Sequence, residues 1–169
     1  LSRVVRADDE DHAACVEFAM PAYDRMPLHA VRQAFPAYIA LTRHGRPAAV
    51  CGFRGGDGGL FLEQFMQEPL LAYVEAHASS PVTRRAIVEL GALRMKSAAL
   101  APLFARHIEN TLAKRSFSHA LALAPAPATS VDQWVKARAA LVGEPERMNQ
   151  KTPAAATLTV SVLPLPAGG

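Results

Sequence analysis

Two glutamates stand inside apolar runs of this chain. Glu63 lies in Leu60-Phe61-Leu62-Glu63-Gln64-Phe65, and Glu89 in Ile87-Val88-Glu89-Leu90. A carboxylate among apolar neighbours is costly to bury unless it is paired or opens on a cleft. Arg54 follows one apolar run, and Arg84-Arg85 precede the run of Glu89. Two carboxylates that share a cleft push their pKa values apart, so one keeps a proton that the other has lost. That is the raw material of acid–base chemistry. Arg54 and Arg94 can each grip a carboxylate or phosphate with two hydrogen bonds. Arg94 and Lys96 also precede the strongest helical pattern, whose first amides would add to an anion site. The competing reading of each glutamate is a Glu–Arg pair that only fixes the sheet. For Arg54 it is a solvated strand end.

These residues need strands to hold them. Residues 2–6 read as a short strand. A helix is expected from about residue 9 to 23, with Asp8, Asp9 and Asp11 near its start and Pro21 as its kink or end. A second short helix is expected over 28–35, stopped before Pro36. Residues 38–43, the turn His44-Gly45 and residues 47–53 form the clearest hairpin. Gly55-Gly56-Asp57-Gly58-Gly59 is a hairpin loop, since it lacks the lysine and context of a phosphate loop. Residues 60–65 read as the next strand. Pro69 opens a helix, residues 86–93 form a strand, and residues 97 to about 115 form the strongest helix. A strand follows over 119–124. Ser130-Val131-Asp132-Gln133 is a capping box that opens a helix carrying Trp134, read as a core residue. Residues 144–152 read as a polar link. Residues 157–163 alternate as a half-buried strand, at an edge or paired late.

The 169 residues are 50% hydrophobic and 20% charged, enough for one domain over 1–163 with a tail over 164–169. The net charge of +3 and dispersed arginines suit an anionic partner but give no nucleic-acid signature. Cys15 and Cys51 have no metal-ligand spacing and read as buried, reduced thiols of a cytoplasmic protein. No metal site is expected. No run is long enough for a membrane-spanning helix, and no signal peptide is expected. His44 is a turn residue, and His107 and His119 are more ordinary surface or core histidines than cleft residues. No serine has an acid–base pair beside it, which argues against a serine hydrolase.

LFLEQFMQEP and RRAIVELGAL resemble the two signature motifs of the bacterial thermostable hemolysin family, in the expected order. The resemblance covers about residues 35–112. That family is similar in fold to the GNAT acyltransferases and to the acyl-homoserine lactone synthases. The synthases carry an arginine after the third strand and a W-E-x-S-R strand later. Arg54 and Glu89 fall in comparable places. Departures are plain: Val88 replaces the tryptophan, Gly91-Ala92 replaces Ser-Arg, and the glycine-rich pyrophosphate loop is missing.

The resemblance implies a GNAT-like α/β domain. Its central sheet would be mixed, mostly antiparallel and six- or seven-stranded, with helices on both faces, splaying between the strands at 86–93 and 119–124. It implies an N-acyltransferase that moves a fatty acyl group from an acyl thioester to an amine. Such a reaction needs a base for the amine proton, donors for the thioester oxygen and an anion site for the donor phosphate. Glu89 would be the base, and Glu63 would share that role or bind the amine. Arg54, Arg94 and Lys96 would hold the donor or substrate. No tightly bound cofactor is expected. The donor would be acyl-coenzyme A or an acyl carrier protein, the missing loop favouring the carrier. A homo- or hetero-oligomer is compatible with this reading. The rival is a non-catalytic GNAT-like domain that binds an acyl ligand or protein partner.

Overall fold

The structure, a computed structural model, describes residues 1–23, 34–66, 68–76, 78, 81–125, 148–151 and 157–165. The helix expected from residue 130 lies outside these residues, as does most of the one expected over 28–35.

The chain opens with β1 (Ser2–Arg6) and α1 (His12–Ala19). Pro21 has no amide to continue the helix, and the chain tightens into a 3-10 turn, Met20–Tyr23. β2 (Ala37–Arg43) and β3 (Arg46–Gly55) form the expected hairpin. His44 and Gly45 both have positive φ, 51° and 74°, the geometry of a tight hairpin turn. Residues 60–65 are not a strand. Leu60 is extended, and Phe61–Phe65 is a 3-10 turn. α2 (Leu70–Glu75) follows Pro69, then β4 (Ile87–Met95), α3 (Ala101–Ala113) and β5 (His119–Pro125). β6 (Met148–Lys151) lies in the stretch expected to be a polar link, and β7 is Thr157–Pro164.

Among the described residues, one seven-stranded sheet runs in the order β1-β2-β3-β4-β5-β7-β6. Only β4 and β5 are parallel; every other neighbouring pair is antiparallel. β7 sits between β5 and β6 rather than at an edge. Pro164 pairs with His119, and Leu165 is buried, its amide donating to Ser118 O at 2.8 Å.

Each face of the sheet is covered by a different core. Val88, Leu90 and Leu93 of β4 pack with Phe104, Ile108 and Leu112 of α3. The opposite face carries Val5, Tyr38, Ala40 and Val50 under Cys15, Val16 and Ala19 of α1. Farther along it, Ile87 and Leu121 meet Leu60, Leu62 and Val74. Each fully buried Leu, Ile or Val contributes about 1.5–3 kcal/mol. Cys15 and Cys51 are both free and buried. Burial pushes the Cys15 thiol up to about 11 and the Cys51 thiol up to about 12.

Two irregularities shape the middle of the sheet. Pairing between β4 and β5 runs from Ile87↔His119 to Leu90↔Ala122 and stops there, although β4 continues to Met95. The strands therefore part where splaying was expected. Just beyond, β3 and β4 fall out of register. Val50 pairs with Arg94 and Gly52 with Gly91, so Cys51 alone faces Ala92 and Leu93. This is a β-bulge, and Ala92 adopts φ 50° within it. A left-handed alanine costs about 1 kcal/mol and persists only where its surroundings impose it. The bulge also reverses the alternation of β4. Leu93 joins the α3 core, and Arg94 turns to the face of α1.

Candidate active site

The site forms where the Phe61–Phe65 turn meets β3 and β4. Glu89 is only 1% exposed although it carries a carboxylate. It accepts hydrogen bonds from the Phe61 amide at 2.6 Å and the Leu62 amide at 3.1 Å, one on each oxygen. Arg54 is its register partner on β3, so both side chains leave the same face of the sheet. Burial raises the Glu89 carboxyl to about 7. The two amides and the Arg54 charge oppose that rise, while the charge of Glu63 adds to it.

Glu63 sits two residues after Phe61 on the same turn. Its Oε1 accepts the Leu60 amide at 2.7 Å, closing the turn on itself. The same oxygen meets Nη2 of Arg84 in an ion pair. Arg84 Nε also donates to Gly56 O at 3.2 Å, tying the turn to the end of β3. Burial would raise the Glu63 carboxyl, but the Arg84 hydrogen bond, the Leu60 amide and the Arg84 charge together hold it below its usual value. Three consecutive amides, Leu60 to Leu62, thus serve two carboxylates in opposite ionisation regimes.

Arg94 and Lys96 stand elsewhere. They lie five and seven residues beyond Glu89, about 15–25 Å along the direction of β4, with Lys96 just past its end. Arg94 Nη1 donates to Phe18 O at 2.7 Å, and its guanidinium stacks 5.1 Å from the Phe18 ring. Lys96 Nζ lies 5.9 Å from the same ring and is exposed. The structure therefore gathers Glu89, Glu63 and Arg54 at one end of β4, and Arg94 and Lys96 on α1 at the other. His119 belongs to neither group; its Nδ1 lies 2.8 Å from Ser118 Oγ, and burial lowers its pKa.

Sequence reasoning missed three participants. Arg84 was visible only as half of a basic pair. The amides of Phe61 and Leu62 carry no side-chain signal. The third is Phe35, which is 4% exposed and lies over two glycines of the same face. A Cβ on Gly91 would fall 2.2 Å from Phe35 Cζ, and one on Gly52 would fall 2.7 Å from Phe35 Cγ. A glycine inside each of two neighbouring strands is the available sequence signal for such a close approach. Among the described residues, no three His, Cys, Asp or Glu side chains gather to hold a metal, and no helix is long and apolar enough to cross a membrane.

Solved structures resemble this fold at low sequence identity. The acyl-homoserine lactone synthase LasI matches with a TM-score of 0.61 and 8% identity, over 98% of this chain and 90% of that one. The ribosomal-protein-S18-alanine N-acetyltransferase from Escherichia coli matches with a TM-score of 0.59 and 12% identity, over 100% and 97%. A coenzyme-A-dependent acyl-homoserine lactone synthase, MesI, matches with a TM-score of 0.57 and 12% identity, over 97% and 88%. The fold is GNAT-like, with the mixed, mostly antiparallel sheet expected of it. A search of curated protein sequences finds no match. The profile described as thermostable hemolysin matches residues 5–133. The chain belongs to the thermostable hemolysin family.

Proposed function

We propose that this protein is an N-acyltransferase that moves a fatty acyl group from an acyl thioester to an amine. The observation that carries the reading is Glu89: a buried carboxyl raised to about 7, on β4, one rung before β4 and β5 part. A base poised near neutral pH is the form acid–base catalysis favours. The GNAT-like fold shared with N-acetyltransferases and acyl-homoserine lactone synthases supports the reaction class.

The amine nitrogen attacks the thioester carbonyl carbon, forming a C–N bond. The C–S bond breaks, and the sulfur leaves as a thiol on the proton that Glu89 has taken from the amine and passes on. Glu89 takes the proton of the attacking amine through the lone pairs left beside its two amide contacts. Arg54, across the strand pair, steadies the negative charge of Glu89 before the proton arrives. Glu63, ionised against Arg84, holds the turn whose amides orient Glu89 and faces the cationic form of the amine. Arg94 and Lys96 supply positive charge at the far end of β4, suited to the phosphate of coenzyme A or of a carrier protein's arm.

The test is thiol release from acyl-coenzyme A and from acyl carrier protein, across a panel of amines. Turnover with at least one pair, reduced in Glu89→Gln, supports the reading. Unchanged rates in Glu89→Gln would remove Glu89 as base. No release with any donor would favour a domain that binds without catalysis.

A further inference from the structure

The Phe35 ring lies over the paired glycines of β3 and β4. Gly52 and Gly91 are register partners, and both belong to the face that carries Arg54 and Glu89. Arg54 and Glu89 form the rung two residues along, about 7 Å away. The ring therefore covers the rung next to that of Glu89 on the same face, at the edge of the place where β4 leaves β5. Glycine weakens a strand, and two in register in the middle of a sheet do so twice. A plain core would take alanine or valine there. Neither fits, because a Cβ at either position would enter the ring. The two strands thus hold a slot the depth of a side chain, and Phe35, from the connection just before β2, fills it. The slot lies on the face that α1 covers, opposite α3, where Phe35 packs in the same core as Cys15, Val16 and Ala19, and this is the side from which Glu89 projects.

We propose that the Phe35 ring over Gly52 and Gly91 is the size-setting wall of the amine pocket, restricting the protein to amines with little bulk beside the reacting nitrogen. This rests on the acyl-transfer reading, in which the amine must lie against Glu89. Trimming the ring leaves a flat, apolar space above two glycines, which an aromatic ring on the amine can occupy in its place.

The experiment compares wild type with Phe35→Ala and Phe35→Leu, using methylamine and benzylamine with a thioester that the wild type accepts. In Phe35→Ala the ratio of kcat/KM for benzylamine over methylamine should rise tenfold or more, while the KM for the donor stays within twofold. Phe35→Leu should shift the ratio the same way by less, and it carries the test if the alanine variant does not fold. A ratio that stays constant while both rates fall would make Phe35 a packing residue only and overturn the proposal. Benzylamine binding without donor, followed by calorimetry, separates this failure from failure of the reaction class. If the wild type releases no thiol with any pair, the acyl-transfer reading fails. Benzylamine should still bind a Phe35 variant at least tenfold more tightly than wild type, and equal binding would overturn the slot as a ligand site.

Discussion

The two ends of one short turn treat a carboxylate in opposite ways. At the inner end Glu89 is buried and met by main-chain amides, and its carboxyl is pushed up to about 7. At the outer end Glu63 is partly exposed and met by a guanidinium, and its carboxyl is held down. The difference teaches which partner outweighs burial. Two amide dipoles do not offset the loss of water around a buried charge. A full positive charge at hydrogen-bond distance, in a site that keeps some water, does.

The contrast is most sharply tested by exchanging the carboxylates one at a time. Glu89→Gln keeps size and one acceptor but removes the base, so turnover should fall by about two to four orders of magnitude. Glu63→Gln should cost less than about tenfold, since its role is to hold the turn. Equal losses in steady-state assays would erase the distinction between the two ends.

Stability should record the same opposition with pH. Glu89 has a raised carboxyl, so its contribution is fully present below the unfolded value of 4.5 and is lost as pH rises through about 7. The loss is about 3 kcal/mol. Chemical denaturation from pH 4 to 8 should show this decline in wild type and not in Glu89→Gln. Glu63 has the opposite sign. Its contribution is present above 4.5 and is lost as pH falls through its lowered folded value. A wild-type pH profile that Glu89→Gln leaves unchanged would contradict the inner-end assignment. The rate should follow the same group, rising as pH passes about 7 and then levelling as the base ionises.

The smallest effect belongs to the outer end. Arg84→Ala removes a partly exposed ion pair and a hydrogen bond to Gly56 O. The expected cost is about 1 kcal/mol in urea unfolding, diminishing with salt. The Glu63 carboxyl should then titrate higher, observable by NMR, because burial remains and its opponent is gone.

Much of the fold was legible because it is written in local pattern. The His44-Gly45 hairpin, the β4 run and the apolar stripe of α3 all follow from period and turn chemistry. Two strands were misplaced, and the errors offset each other in the count. Leu60 and Leu62 alternate as a strand would, but the amides of Phe61 and Leu62 bond to Glu89, 28 and 27 positions later, instead of to a neighbouring strand. The one local warning was Glu63 three residues after Leu60, the spacing that lets a side chain close a turn. Met148–Lys151 has no apolar alternation and is a strand only because β7 offers it an edge. Glu63, Glu89 and Arg54 stand at one end of β4, whereas Arg94 and Lys96 stand at the other, where the bulge turns Arg94 onto Phe18. Phe35 was illegible: nothing in the order of residues says which ring will lie on Gly52 and Gly91.

The two buried thiols have a practical consequence for all of these measurements. With the Cys15 thiol raised to about 11, only about one molecule in a thousand carries its thiolate at pH 8, and fewer for Cys51 at about 12. Both sulfurs are also shut away from a reagent in solution. A chromogenic disulfide added to the folded protein should therefore see the thiol shed by the acyl donor and nothing from the protein itself. The same dye becomes a clock once the chain opens, since two equivalents should then react in a single phase at the rate of unfolding.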